Sequence, residues 1–108
     1  MKNRKQLEEA GWRVGDTQEF LGLSDAEAAY IELKLVLAEA LRERRLERKL
    51  NQTQVAKIVG SSQSRVAKME AADASVSIDL LIKSLFHLGA DRAELARIVK
   101  REPVGALR

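Results

Sequence analysis

The stretch LNQTQVAKIVGSSQSRVAKME, residues 50–70, decides how this chain reads. Polar residues outnumber apolar ones in it. Yet Val55, Ala56, Val59, Val66 and Met69 recur at helical spacing on either side of Gly60. Apolar positions three and four apart mark the inward stripe of a helix. Asn51 is a good N-cap for a helix over residues 52–59. Gly60 suits the left-handed conformation that ends one. Ser61 or Ser62 then caps a second helix over residues 63–71. The side chain of Ala56 is a single methyl group, so the two helices can approach closely, and the valines with Met69 supply a shared core. The stretch therefore reads as two short helices gripping each other, the second with a polar outer face.

A short helix, a glycine turn and a second helix form the helix-turn-helix pattern. In that geometry the first helix crosses the DNA backbone, and the second puts its N-terminal side chains into the major groove. Outward positions must then be polar and uncharged or basic. Gln63, Ser64, Arg65 and Lys68 meet that demand, and no acid stands between Glu47 and Glu70. A plain helical hairpin in a bundle is the competing reading, and the lack of acids weighs against it.

Outward from this core, the pattern extends in both directions. Ser24-Asp25-Ala26-Glu27 is a capping box. It opens a long helix over residues 25–49, in which no breaker occurs. Tyr30, Leu33, Leu37, Ala40 and Leu41 form one apolar stripe, expected to face the core. Ile31, Leu35 and Ala38 form a second, expected to face either the N-terminal segment or another subunit. The end of this helix is basic, with Arg42, Arg44, Arg45, Arg48 and Lys49 against Glu43 and Glu47. Cations there are stabilising in themselves. Ser77 caps a fourth helix over residues 78–88, with Leu80, Leu81, Leu85 and Leu88 inward and Gly89 as its stop. Asp91 caps a fifth, with Glu94 placed for another capping box, that passes Leu95, Ile98 and Val99 and stops before Pro103.

Three regions result: an N-terminal appendage at 1–23, a helix-turn-helix domain at 24–102 and a tail at 103–108. In the appendage, Trp12-Arg13-Val14 can form a short extended piece, and Asp16 or Thr17 can cap one turn carrying Phe20 and Leu21. Trp12 reads as a packing anchor, with a partner contact as the alternative.

Composition agrees with an all-α chain. Hydrophobic residues make up 45% of the 108 positions but aromatics only 4%, so Leu, Val, Ile and Ala must build the core. Cysteine is absent, which excludes disulfides and thiolate metal sites and fits a cytoplasmic protein. His87 is the single histidine, which leaves no metal ligand set and no nucleophile–base pair. No catalytic residue, cofactor or metal is expected, and no enzyme. No apolar run approaches the roughly 20 residues that span a bilayer. The net charge is only +3, but residues 34–69 hold nine basic and three acidic groups. Such a local basic region suits a polyanion; a solvated helix face is the plainer account of the same charges.

The residues Asn51-Gln52, Ala56, Gly60, Ser62-Gln63-Ser64-Arg65-Val66 and Met69-Glu70 resemble the five-helix Xre/Cro-type, lambda-repressor-like domain of phage repressors and bacterial regulators. The resemblance covers about residues 40–90. It implies that Gln63, Ser64 and Lys68 face base edges and that Arg65 reaches bases or backbone. It also implies that Gln52 and Ser62 meet phosphates, and that Arg45 pairs with Glu70. Ala56, Gly60 and Val66 hold the motif together. In this architecture Arg44, Arg48 and Lys49 reach only the DNA backbone. Where the family often has Asn-Gly and basic residues after the recognition helix, this chain has Ala71-Ala72-Asp73-Ala74-Ser75.

The longer pattern, from EFLGLSDAEAAYIELKLVLAEALRERR to SSQSRVAKMEAADASVSIDLLIKSLFHLGA, is similar to HigA-like antitoxins. That likeness implies an autoregulating repressor that binds double-stranded DNA as a homodimer on a pseudo-palindrome, with a toxin as a further partner. A module whose main role is to neutralise a toxin or dock a partner protein is the alternative.

Overall fold

The computed structural model describes Gly22 and residues 24–104. The expectations for Trp12, Asp16, Thr17, Phe20 and Leu21 lie outside the described residues. Among those described, the fold is all-α, with no strand. Five helices follow one another: α1 Asp25–Glu47, α2 Gln52–Val59, α3 Gln63–Glu70, α4 Ile78–His87 and α5 Arg92–Val99. The chain divides after Glu32 into two units. Of the first, the described part opens α1; the second holds the rest of α1 and the four short helices.

Each helix starts where a side chain satisfies its orphan amides. Ser24 Oγ accepts from Glu27 N at 3.1 Å, and Glu27 Oε1 accepts from Ser24 N at 3.0 Å. The Ser24 backbone N–H, with the Ser24 hydroxyl after it, holds the Glu27 carboxyl below its ordinary range. Asn51 and Gln54 form the same reciprocal box, both bonds at 2.8 Å. Ser62, Ser77 and Asp91 cap α3, α4 and α5. The second half of the α5 box does not form, because the Glu94 carboxylate pairs with Arg44 instead.

The helix ends are more uniform than the sequence suggests. In α1, Lys49 N donates to Leu46 O and Leu50 N to Arg45 O, with Lys49 at φ 57°. This pair of bonds around one left-handed residue is the Schellman motif. It recurs at Ala72, φ 53°, and at Gly89, φ 94°. Gly60 is likewise left-handed at φ 71°, and Ala56 O accepts from both Gly60 N and Ser61 N. Two of these four residues are thus not glycine, and left-handed backbone costs a residue with a Cβ on the order of 1 kcal/mol. Lys49 ends α1 at Glu47 rather than at 49, and the turn at Ala72 follows an α3 that closes at Glu70.

The core is aliphatic. Leu37, Leu41, Val55, Val66, Met69, Leu81 and Leu85 are wholly buried, with Ala40, Ala56, Leu88 and Ile98 closing the gaps. Tyr30, expected on the inward stripe, is 50% exposed. The part of α1 that enters the core begins at Leu33, one turn later. Of the second stripe, Ala38 is buried, Leu35 half-buried and Ile31 exposed.

Candidate nucleic-acid interface

α2 and α3 pack through Val55, Ala56, Val66 and Met69, all buried. Their inward face is therefore fixed, and their polar residues are left outside. Gln63, Ser64, Arg65 and Lys68 are all exposed along α3. Ser64 and Lys68 are one turn apart and share a face. Ser62 Oγ is committed as acceptor to Arg65 N at 3.2 Å, which leaves its hydroxyl hydrogen free to donate.

Beneath these residues runs a chain of hydrogen bonds. Arg45 and Glu70 form a two-pronged pair, Nε to Oε2 at 2.5 Å and NH2 to Oε1 at 3.0 Å. Both side chains are mostly buried, 12% and 5% exposed. Arg45 NH1 also donates to Leu50 O at 3.0 Å, tying the pair to the turn before α2. Hydrogen bonding to Glu70 raises the Arg45 guanidinium further above its ordinary range. Gln52 Nε2 donates to Glu70 Oε1 at 3.2 Å, and Gln63 Nε2 donates to Gln52 Oε1 at 2.6 Å.

The direction of this chain is dictated by its inner end. An ionised carboxylate only accepts. Gln52 must therefore turn its NH2 towards Glu70 and its oxygen outward. Gln63 must in turn give Gln52 one N–H. The amide oxygen of Gln63 and its second N–H remain uncommitted at the start of α3.

A model of the helix-turn-helix domain matches residues 36–98, more than half of the chain. The chain belongs to the helix-turn-helix domain family. That family consists of DNA-binding domains and is typically non-enzymatic. Neither the curated proteins nor the solved structures give a significant match. Among the described residues, no helix of this helix-turn-helix domain is long and apolar enough to cross a membrane, and no cluster of acids and histidine could hold a metal ion.

The basic end of α1 is not one surface of the helix-turn-helix domain. Arg44, expected to reach DNA backbone, pairs with Glu94 of α5 and points a second nitrogen at Leu88 O, 3.4 Å away. Its side chain is 15% exposed. Arg48 lies against Gly89, where a Cβ would stand 3.0 Å from its NH2. Both arginines line an open cleft with Arg101, Glu43, Glu47 and Glu94. Arg101 NH1 reaches Glu43 Oε1 at 2.8 Å. Lys49, exposed, occupies the left-handed turn that leads into α2.

Two polar residues near α3 escaped the sequence reading. Lys34 is buried within α1, and its Nζ donates to Asp73 O at 2.7 Å. Asp73 turns its carboxylate onto Ser75 N and Oγ. Those two bonds, with the charges of Lys68 and Lys34, hold its carboxyl below the usual carboxylate range. A signal existed for Lys34: it is in register with Leu37, Ala38 and Leu41, the buried face of α1.

Proposed function

We propose that this chain is a sequence-specific transcriptional repressor of the Xre/Cro kind, autoregulating as HigA-like antitoxins are. It binds double-stranded DNA in the cytoplasm as a homodimer, with one α3 in each of two major-groove half-sites. The observation that carries this reading is the relay from Arg45 through Glu70 and Gln52 to Gln63. It spends buried charge to orient one exposed amide at the N-terminal end of α3, the end that enters the groove in this motif.

In this reading Gln63, Ser64, Arg65 and Lys68 meet base edges. The free oxygen and N–H of Gln63 match the N6 donor and N7 acceptor that adenine presents in the major groove. Gln52, through its remaining N–H, Ser62, through its hydroxyl hydrogen, and Lys49 meet the backbone. Arg48 is placed second, beside Gly89, and Arg44 is left out because both of its terminal nitrogens bond within the protein. A single α3 covers few base pairs, and two-fold symmetry doubles the site, with half-sites roughly 34–36 Å apart. The toxin partner rests on the sequence resemblance alone.

The test is selection of duplexes from a random pool by the purified protein, followed by sedimentation of the complex. Recovery of a pseudo-palindrome bound by two chains is expected. Recovery of unrelated sequences, with equal affinity for scrambled duplex, would overturn the specific-repressor reading. Co-expression with the product of the adjacent reading frame tests the toxin: a stable complex that inhibits a ribonuclease supports it, and no association removes it.

A further inference from the structure

Lys34 is a buried cation that the interface described above does not use. Its side chain leaves α1 on the core face and is 7% exposed. An ammonium taken from water is costly unless its surroundings repay it. Here it makes one hydrogen bond, to the carbonyl oxygen of Asp73, 39 residues away in sequence. The same oxygen accepts from Val76 N at 3.0 Å, and Val76 is itself buried. One residue earlier stands Ala72, left-handed at φ 53°. The bond Asp73 N to Lys68 O, 3.0 Å, closes the turn onto the last turn of α3. Lys34 therefore grips the far side of a strained turn whose near side is the carbonyl of Lys68.

We infer that Lys34 is a positioning residue for DNA reading: its ammonium clamps the left-handed turn at Ala72 and so fixes the last turn of α3, where Lys68 stands. This rests on α3 being the recognition helix. Without the clamp, Ala72 is free to relax out of the left-handed region, and the end of α3 loosens with it. Glycine at 72 would hold the same turn with no clamp, since it carries no Cβ.

That relation supplies the test. Lys34→Met, Ala72→Gly and the double variant are compared by amide hydrogen exchange at Ala72 and Asp73 without DNA. They are also titrated on a duplex selected by the wild-type protein and on its scrambled counterpart. Lys34→Met is expected to speed exchange at both amides and to weaken the selected duplex about tenfold, the scrambled one less. Ala72→Gly alone leaves both affinities as they are, and the double variant recovers most of the loss. If Lys34→Met melts lower but keeps wild-type exchange and specificity, Lys34 only supports the core and the inference fails. It also fails if glycine at 72 restores nothing. Should Lys34→Met not fold, Lys34→Ala, which also removes the donor to Asp73 O, carries the same comparison. If the wild-type protein selects no duplex, the DNA reading has failed, and the exchange rates alone still decide whether the clamp exists.

Discussion

Arg44 and Arg45 are neighbours in sequence and leave α1 for opposite regions. On the α2–α3 side, Arg45 meets one carboxylate in a nearly dry place, and the consequence passes outward through two amides to Gln63. On the α5 side, Arg44 and Arg101 meet Glu94 and Glu43 across an open cleft. The first region uses one ion pair to orient uncharged side chains that stay free. The second uses its cations against its own anions. Arg44 is thus engaged by the protein's own carboxylate, and the charge count of α1 overstates how many of its cations stand free.

The strongest way to break this contrast is Glu70→Ala. It strands Arg45 in a mostly buried site and frees Gln52. Removing one partner of a buried pair costs about 3–5 kcal/mol, so a large drop in the urea midpoint is expected. A loss under ~1 kcal/mol would mean that water reaches Arg45 and that the pair behaves as a surface one. Next comes Gln63→Ala, expected to cost about 1–3 kcal/mol on a selected duplex and little on a scrambled one. Equal losses on both would make Gln63 an anchor and undo the meaning given to the relay. Gln52→Ala sharpens the same point. It removes no proposed base contact, yet should erode discrimination by releasing Gln63, and unchanged discrimination would show that the relay orients nothing.

Arg44→Gln probes the other region. It should cost on the order of 1–2 kcal/mol of stability, the scale of a partly buried hydrogen bond to a charged group. The salt dependence of DNA binding should stay as it was, since no phosphate contact is lost. A slope flatter by about one would place Arg44 on DNA after all. Smallest is Arg101→Ala: both partners are about half exposed, and such pairs contribute about 0–1 kcal/mol. A melting temperature within error of wild type is the expected result.

What the sequence made legible follows from how local each device is. Ser24 with Glu27 announces a helix start because the partners lie three residues apart, and Asn51 announces another as an N-cap; its reciprocal partner Gln54 emerges only in the structure. The stripe through Leu37, Leu41, Val55, Val66 and Met69 reveals the core because burial is periodic. Glu94 looked like half of a local box, and Arg44, fifty residues away, took its carboxylate. The destination of Arg44 could not be read, since only the packing of α5 brings Glu94 to it. Lys49 and Ala72 gave no sign of ending helices, because glycine is the signal for a left-handed turn and neither is glycine. The pairing of Arg45 with Glu70 came from resemblance. The amides that extend it to Gln63 are visible only when α2 and α3 are placed together.

The left-handed alanine that follows α3 also bears on how such a protein changes. A repressor acquires a new operator by altering residues like Gln63 and Ser64, and most such alterations lose some stability. Ala72→Gly takes a single base change in any alanine codon, and it touches none of the side chains proposed to read bases. It relieves a strain worth on the order of 1 kcal/mol, partly offset by the flexibility glycine brings to the unfolded chain. If α3 reads DNA as proposed, the molecule holds a small stabilising substitution next to it, one that can offset part of the stability lost when a base-reading residue changes.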